Sequence, residues 1–225
     1  MAVSPVYKFL SQVPYFSEID SEYLEVIFRN AVKKDIAPDQ VVFLEGDPNI
    51  GLYVVEKGWF KVVKIAPSGR EQVINFIGPG EAFNALSLFA DIPNPATAVA
   101  LESSIVWLLP REVMLQMLDK YPKLAQSVIK SLAGRVQHLV GLVEDLSLRS
   151  VEARLARLLM EQAAGETVHR QKWATQSELA ARLGTVTDVL SRALRKLTEE
   201  GLIQVSRHQI QILNPEELKA RAEFE

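Results

Sequence analysis

The sequence contains no cysteine, and this absence excludes several kinds of chemistry. No disulfide, thiolate zinc site, cysteine-bound iron–sulfur cluster or thiol redox switch can form without it. Histidine is scarce as well, since the first 137 residues contain none. A cupin-type metal enzyme needs clustered histidines and carboxylates, and many nucleotide-hydrolysing enzymes need a glycine-rich phosphate loop that ends in Gly-Lys-Ser or Gly-Lys-Thr. Neither pattern is present, so we do not expect an enzyme.

Long apolar runs are also missing. The sequence has no stretch of about 18 apolar residues that would predict a membrane span, and its N-terminus lacks the basic start and apolar run of a signal peptide. We therefore expect a cytoplasmic protein with no membrane contact. A length of 225 residues, 48% of them hydrophobic and 24% charged, leaves room for two globular domains.

Positive charge has no overall excess, because 25 Lys and Arg residues stand against 28 Asp and Glu residues, for a net charge of −3. The charge is unevenly distributed: residues 1–146 have a local net charge of −4, residues 147–213 of +3 and residues 214–225 of −2. Phosphate contact depends on local charge, so the basic excess lies in the part of the chain where a nucleic acid could bind. The excess is small and is weak support by itself.

The first half of the sequence predicts a small antiparallel β-roll. Residues 5–34 favour two short helices, one ending at Pro14 and one spanning Ser21–Ala31. From Lys34 to Leu109, short apolar segments then alternate with Gly or Pro turns, as in a barrel or roll. These segments are 41–44, 51–55, 59–65, 71–77, 97–101 and 105–109. We assign residues 1–121 to a sensor domain.

A long helix is predicted from Pro122 to Leu146, and its apolar residues follow a heptad repeat. The a positions are the β-branched Ile129, Val136 and Val143, and the d positions are Leu132, Leu139 and Leu146. This choice favours a parallel two-stranded coiled coil, so residues 122–146 are predicted to form a dimer interface. The alternative is a single long helix that lies on its own roll. Gly134 and Gly141 fall at f positions, where they either permit close packing or soften the helix.

The C-terminal third, residues 147–213, contains a helix-turn-helix pattern. A hinge is predicted at 147–149, followed by a helix that Ser150 caps and by a short strand or hairpin within residues 165–174. Thr175 and Glu178 have the spacing of a capping box, Gly184 fits a sharp turn, and Thr185 and Asp188 repeat the capping spacing ten residues later. A short helix, a glycine turn and a second helix with polar and basic residues can lie in a DNA groove.

The remaining C-terminal pattern completes a winged domain, which we assign to residues 147–225. Gly201 is placed to end the second helix as a C-terminal cap. Apolar residues then alternate on both sides of Ser206–Gln209, which predicts a two-stranded wing. Asn214 and Pro215 are typical of the start of a final short helix.

In this order of elements, the chain resembles the Crp/Fnr superfamily of bacterial transcription regulators over nearly its whole length. The residues that carry the resemblance are Phe9-Leu10, Val13–Phe16, Glu45–Asp47, Val55, Gly58, Pro79–Glu81, Leu88-Phe89, Pro95–Ala98, Ser177–Ala180, Gly184, Ser191-Arg192, Leu197 and Gly201–Ile203. The resemblance implies an α+β fold with a jelly-roll-like, cyclic-nucleotide-binding-like β-roll, a long dimerisation helix and a winged helix-turn-helix. It implies a homodimeric regulator that binds an inverted-repeat operator, with RNA polymerase as a further partner.

The resemblance also implies which residues contact DNA. The positions of the family's base readers are Thr187, Asp188, Ser191 and Arg192. Arg can bond guanine bidentately and a carboxylate can accept from cytosine N4, although Asp188 is about one methylene shorter than the family's commoner Glu. The alternatives are a capping role for Asp188 with Thr185, and a solvated or helix-paired charge for Arg192. Phosphate contacts are predicted for Arg195 and Lys196, and either phosphate contacts or capping alone for Thr175, Gln176 and Ser177.

The predicted sensor pocket departs from the family's cyclic-nucleotide pattern. Family members that bind cyclic nucleotides carry a Glu for the ribose and an Arg-Ser pair for the phosphate, and these positions hold Ala85 and Pro95-Ala96. No Lys or Arg occurs from Glu71 to Pro110, and a buried phosphate without a countercharge is costly. We therefore do not expect cyclic AMP to bind in the family manner. The candidate effector residues are Gly80 and Glu81, through backbone N–H groups that could hold an anion, and the polar Glu81, Asn84, Ser87, Asn94 and Thr97. The alternative is that these polar side chains serve turns and helix caps.

The sequence specifies no cofactor. Some family members bind haem, but the roll has no histidine, and His138 occupies a c position where we expect it to be exposed. A haem would have to take its axial ligands from Met, Lys or a backbone amine. A small-molecule effector is compatible with the roll, and no metal site is expected.

A rival function would use a similar roll without DNA, as a ligand-binding regulatory module that controls a partner protein. The capped helix pair and the wing argue against it. A gel shift with promoter DNA would separate the two.

Overall fold

The computed structural model describes residues 5–17, 19–169 and 171–223. The chain divides into two compact units, Met1–Lys64 with Ile74–His138, and Ile65–Val73 with Leu139–Glu225. The described helices are α1 (Pro5–Leu10), α2 (Ser21–Arg29), α3 (Ala85–Ala90), α4 (Arg111–Lys120), α5 (Pro122–Leu148), α6 (Val151–Gln162), α7 (Gln176–Arg182), α8 (Thr187–Glu199) and α9 (Pro215–Ala222). The described strands are β1 (Val32–Ile36), β2 (Val41–Phe43), β3 (Gly51–Lys57), β4 (Phe60–Ile65), β5 (Glu71–Ile77), β6 (Ala82–Phe83), β7 (Thr97–Ala100), β8 (Ser104–Pro110), β9 (Thr167–His169), β10 (Ile203–Val205) and β11 (Gln209–Ile212).

The predicted β-roll is confirmed. Its strands form two four-stranded sheets in the orders β1-β8-β3-β6 and β2-β7-β4-β5, and the ladders β1–β8, β3–β8, β2–β7 and β4–β7 are all antiparallel. Apolar residues of both sheets form a buried cluster that includes the stacked rings of Tyr53 and Phe83, whose centroids are 5.1 Å apart. This cluster fixes the position of the loops that leave the roll.

A second cluster joins the roll to helices. Leu24, Ile27 and Phe28 of α2 are buried, as their spacing predicts, and they pack with residues of α4 and the first turns of α5. Helix α1 ends at Leu10 rather than at Pro14, because residues 11–17 form turns, and the residue that precedes a proline disfavours helical geometry. The predicted first helix was therefore too long.

The long helix α5 starts at Pro122, as predicted, and its 27 residues correspond to about 40 Å. Leu124 and Val128 are buried in the helical cluster of the first unit, and Leu132 is partly buried there. The other five seam residues are 37–65% exposed in the single chain; they are Ile129, Val136, Leu139, Val143 and Leu146. A Cβ at Gly134 would have no described atom within 4 Å, and one at Gly141 would meet only Arg157 Nη2 at 3.9 Å. Close packing against described residues therefore does not account for either glycine.

The second unit has a separate core built from α6, α7, α8, α9 and the strands β9, β10 and β11. Ser150 and Asn214 cap their helices, as predicted, because their side chains accept from Ala153 N and Glu217 N. Helix α8 ends with Gly201 in a left-handed conformation, with Gly201 N bonded to Thr198 O and Leu202 N to Leu197 O, which is a Schellman ending. The predicted end of this helix at Gly201 is confirmed.

The predicted two-stranded wing is found as β10 and β11, and the short strand predicted within residues 165–174 is found as β9. The sequence did not predict that β9 pairs with β11 as a third strand, so that the order is β10-β11-β9. Val168 supplies the reason, because it is buried in the same core as Ile210 and Ile212. Val168 pairs with Ile210, which is about forty residues away in the sequence. The sequence around Val168 therefore indicates a short strand but not the strand with which it pairs.

The predicted hinge at 147–149 is shorter in the structure. Helix α5 continues to Leu148, so only Arg149 and Ser150 separate it from α6. The division between the two units falls within α5 after His138, and the first turns of this helix pack into the core of the first unit. The division into residues 1–121, 122–146 and 147–225 stays a prediction. Among the described residues, we find no helix with the length and apolar character needed to cross a membrane.

Candidate nucleic-acid interface and sensor site

Helices α7 and α8 form the predicted helix-turn-helix. Thr175 lies at the N-cap of α7, and its Oγ1 accepts a hydrogen bond from Glu178 N at 3.2 Å. This is one half of the predicted capping box, because Thr175 N donates to Trp173 O at 2.8 Å rather than to the Glu178 side chain. Gly184 lies in the turn with φ = 65°, a conformation that costs other residues roughly 1–2 kcal/mol. A Cβ at this position would also fall 2.5 Å from Leu146 Cδ2. The turn therefore requires glycine both for its backbone angle and for its close neighbours.

The start of the second helix differs from its prediction. Helix α8 begins at Thr187, and the N-cap position belongs to Val186, whose side chain makes no cap bond. Thr185 belongs to the turn, where its N–H donates to Ala180 O. The predicted capping partnership of Thr185 and Asp188 is therefore wrong. Asp188 is exposed in the first turn of α8, where a negative charge is favourable to the helix dipole.

One face of α8 is buried and the opposite face carries most of the predicted DNA-binding residues. Leu190, Ala193, Leu194 and Leu197 are buried in the core of the unit. The opposite face, which we call the α8 stripe, consists of Thr187, Asp188, Ser191, Arg192 and Arg195, of which all but the half-buried Ser191 are exposed. Arg192 and Arg195 form no ion pair within the described part of the chain, so both guanidinium groups are available for an external anion.

The first turn of α7 joins this surface. Ser191 Oγ donates to Gln176 Oε1 at 3.4 Å, which brings the predicted residues of the two helices together. Thr175, Gln176 and Ser177 are all exposed. The start of α7 and the α8 stripe therefore form one polar surface.

Lys196 lies apart from the α8 stripe. Its Nζ donates to Glu152 Oε2 of α6 at 2.7 Å, and this hydrogen bond raises the pKa of the Lys196 ammonium. Glu152 also lies 3.6 Å from Arg221 of α9, which pairs in turn with Glu200. In the free protein Lys196 therefore belongs to an ion-pair network between helices.

The structure adds basic residues that the sequence analysis missed. An open cleft of about 420 Å³ is lined by Gln171, Lys172, Ala174, Thr175, Arg207 and His208. Lys172 precedes α7, whereas Arg207 and His208 form the tip of the β10–β11 hairpin. Neither Lys172 nor Arg207 has an ion-pair partner in the ranges that the structure covers. The basic hairpin tip was visible in the sequence, but its position beside the cap of α7 was not.

The predicted sensor residues mostly bond within the protein. Glu81 Oε2 accepts from Gly78 N at 2.6 Å. Asn84 adopts a left-handed conformation with φ = 73°, donates to Gly51 O and accepts from Ser87 Oγ. Thr97 Oγ1 accepts from Glu45 N. These contacts favour the alternative in which the side chains support turns.

The backbone around Gly80 does not fit the predicted anion site. Gly80 N donates to Val55 O at 2.9 Å, and Glu81 N donates to Gly78 O at 3.1 Å. Both N–H groups are already used in the fold, so the prediction that they hold an anion is wrong for this conformation.

Two observations are compatible with a ligand that binds in the roll. Asn94 is 2% exposed, and its Oδ1 has no hydrogen-bond partner among the described residues. Arg135 of α5 donates from Nη2 to Ala82 O, beside the predicted pocket. The sequence analysis missed Arg135 because it lies outside the strands. Its guanidinium brings a positive charge to a loop that has none of its own.

The described residues contain no group of three or more His, Asp and Glu side chains suited to a metal ion. His138 is exposed, as predicted, and its Nε2 lies 3.1 Å from Ile74 O.

Comparisons with known proteins agree with this architecture. Two family models match, the cyclic nucleotide-binding domain over residues 33–121 and the Crp-like helix-turn-helix domain over residues 153–221. A CRP-like cAMP-activated global transcriptional regulator of Mycobacterium tuberculosis is 24% identical over 95% of this chain and 98% of its own length. The fumarate and nitrate reduction regulatory protein of Vibrio cholerae is 27% identical over 92% of this chain and 84% of its own. The solved structure of FixK2 from Bradyrhizobium japonicum covers 86% of this chain and 98% of its own, with a TM-score of 0.76 and 22% identity.

Proposed function

Because the chain belongs to the Crp/Fnr superfamily of transcription regulators, we propose that it is a homodimeric, sequence-specific DNA-binding regulator whose roll responds to an effector. The family consists of transcription regulators rather than enzymes. The observation that carries the proposal is the α8 stripe, where two arginines without an ion-pair partner among the described residues lie beside the capped start of α7.

The α8 stripe has the chemistry for reading bases in the major groove. Arg192 can donate two hydrogen bonds to O6 and N7 of guanine, and Asp188 can accept from cytosine N4. Thr187 and Ser191 add hydroxyl groups one turn apart on the same face. Ser191 keeps Gln176 of α7 within reach of the same surface.

Phosphate contacts are proposed on both sides of the α8 stripe. Arg195 extends the stripe toward the C-terminal end of α8, where it would contact a phosphate without reading a base. The cleft between Lys172 and Arg207 would hold a phosphate of the adjoining backbone, with Thr175, Gln176 and Ser177 at the start of α7. Lys196 would have to exchange Glu152 for a phosphate, so we rank its contribution below that of Arg195.

Dimerisation through α5 is supported by the exposure of its seam. Five of the six predicted seam residues are exposed apolar side chains, and burying each such side chain is worth about 1.5–3 kcal/mol. A parallel coiled coil would bury them against the second chain. Two α8 helices would then face half-sites about one helical turn apart.

We propose an effector other than cyclic AMP bound in the family manner. The relative from Mycobacterium tuberculosis is described as cAMP-activated, but the positions that would contact ribose and phosphate hold Ala85 and Pro95-Ala96 here. Ala85 and Ala96 are buried, and Arg135 already donates to a backbone carbonyl. Because the family's ribose and phosphate contacts are replaced and the Arg135 guanidinium is already bonded to Ala82 O, we propose a neutral or weakly polar ligand rather than a phosphate diester.

The DNA proposal is tested by enriching random duplex DNA on the purified protein and footprinting the selected sequences. We expect a protected inverted repeat with half-site centres about 10 base pairs apart. If no repeat is enriched or protected, with or without cell extract, the proposal is wrong and capture of a partner protein becomes the leading alternative. Mass spectrometry and an absorption spectrum of the purified protein test the effector, and saturable binding of cyclic AMP would contradict its proposed class.

A further inference from the structure

Two arginines pair with one aspartate where the long helix α5 meets α6. Asp145, three residues before the end of α5, accepts from Arg149 Nη1 at 2.6 Å and from Arg157 Nη1 of α6 at 2.8 Å. Arg154 of α6 also interacts electrostatically with the same carboxylate. Asp145 therefore connects two helices that are separated by only two residues of non-helical chain.

The same arginines reach the rest of the DNA-binding unit. Arg149 Nε donates to Ala222 O at the end of α9. Arg154 Nη1 donates to Leu183 O, directly before the turn glycine of the helix-turn-helix. Asp145 is thus connected through the guanidinium of Arg149 to the last helix of the unit, and its charge also acts on Arg154, which holds the turn that orients α8.

This cluster, which we call the Asp145 hub, is better shielded than a surface ion pair. The Arg149 side chain is 8% exposed and that of Asp145 is 23% exposed. Exposed pairs are worth little, whereas removing one partner of a shielded pair leaves a charge that water cannot fully solvate. Glu144 and Glu161 also pair with Arg149 and Arg157, so these two glutamates and Asp145 balance the three arginines.

Because the hub lies on α5, a movement of α5 is passed on to α6 and α9. The first turns of α5 are buried in the core of the sensor unit through Leu124 and Val128, and Asp145 lies on the same continuous helix. A rotation of α5 would carry Asp145 with it, and the strong bonds to Arg157 and Arg149 would carry α6 and α9 as well. Without the carboxylate, α5 would lose its ion pairs to Arg149 and to Arg157 of α6, and the direction of α6 would be less firmly fixed.

We propose that Asp145 is a positioning residue that fixes the direction in which α8 is presented relative to α5, and so fixes the half-site spacing that a dimer recognises. This inference rests on the proposed DNA-binding function. Asp145 does not contact DNA, and its effect is expected on paired half-sites alone.

The test compares Asp145→Asn with Glu25→Gln in the full-length protein. Asp145→Asn keeps the shape of the side chain but removes its charge, whereas Glu25→Gln removes the exposed pair between Glu25 and Arg29 of α2, far along the chain from the hub. Gel shifts would use a single half-site, the selected inverted repeat, and repeats with one base pair added or removed. For Asp145→Asn, we expect half-site affinity within about twofold of the parent, an approximately tenfold loss on the selected repeat, and a weaker preference among spacings. Glu25→Gln should behave as the parent, and Asp145→Glu should recover most of the preference.

Two results would overturn the inference. One is an unchanged spacing preference in Asp145→Asn. The other is an equal loss on the half-site and the repeat, which would mean that the substitution damages the reading surface itself. Arg157→Gln, which removes the partner on α6, should reproduce the loss of spacing preference if Asp145→Asn fails to fold.

A parent protein that binds no inverted repeat would contradict the proposed function without deciding the role of the hub. Hydrogen exchange then decides it. Amides 149–157 should exchange faster in Asp145→Asn than in Glu25→Gln, and equal rates would overturn the inference.

Discussion

Arg192 is the residue on which the proposed base readout most depends. It is exposed on the α8 stripe and has no ion-pair partner among the described residues. Arg192→Ala should weaken binding to the selected repeat by about 1–3 kcal/mol and relax the base preference at one position of each half-site. Competition gel shifts with repeats that carry each base at that position measure both effects.

Arg195 and Lys196 are the controls for this prediction. Arg195→Ala should weaken selected and unrelated DNA by similar factors and lower the salt dependence, as the loss of a phosphate contact does. Lys196→Ala should have a smaller effect, because Lys196 is bound to Glu152 in the free protein. A fully retained base preference in Arg192→Ala would mean that another residue reads the sequence.

Alanine substitutions at two glycines are expected to change the stability of the protein in opposite directions. Gly184→Ala should destabilise the second unit by at least about 1–2 kcal/mol, because the residue has φ = 65° and its new Cβ would contact Leu146 and Arg154. Gly134→Ala should stabilise α5 by up to about 1 kcal/mol, because the position is helical and open. Thermal unfolding followed by circular dichroism measures both, and an unchanged midpoint in Gly184→Ala would contradict the tight turn.

At the scale of single elements, the two helices of the helix-turn-helix begin differently, because a side chain caps α7 but none caps α8. Thr175→Ala removes the side chain that accepts from Glu178 N and should destabilise α7 by about 1 kcal/mol. Hydrogen exchange of amides 178–182 measures this loss as an approximately fivefold fall in protection.

Thr185→Ala is the matched control, since Thr185 does not cap α8. Its effect on the amides of α8 should be less than half as large. Equal losses in the two variants would mean that Thr185 caps α8 in solution.

At the scale of the whole molecule, the exposed seam of α5 predicts a dimer. Leu139→Asp places a charge at a d position in the middle of that seam and should give monomers in sedimentation velocity, because an unpaired charge in a coiled-coil core is costly. Binding to the inverted repeat should fall with it. Gln137→Asp adds the same charge at an exposed b position and should leave the dimer intact. A dimer that persists in Leu139→Asp would remove the coiled-coil proposal.

The sequence by itself determined the features that depend on neighbours within a few residues. Helix capping by Thr175, Ser150 and Asn214, the glycine turn at Gly184 and the helix stop at Gly201 are all found where the sequence placed them. Each arises from the side chain or backbone preference of one residue and the N–H groups beside it, so a short stretch of sequence contains the cause. The strand segments of the roll were predicted for the same reason.

Only the tertiary structure decided which distant groups meet. Lys196 binds Glu152 across 44 residues, Arg135 reaches Ala82, and the hairpin tip at Arg207 lies beside Thr175. The N–H groups of Gly80 and Glu81 looked free in the sequence because their carbonyl partners depend on how the loop folds back onto β3 and the adjoining turn. Charges and hydrogen-bonding groups act on whatever packing brings within a few ångströms, and that distance is set by the fold rather than by sequence spacing.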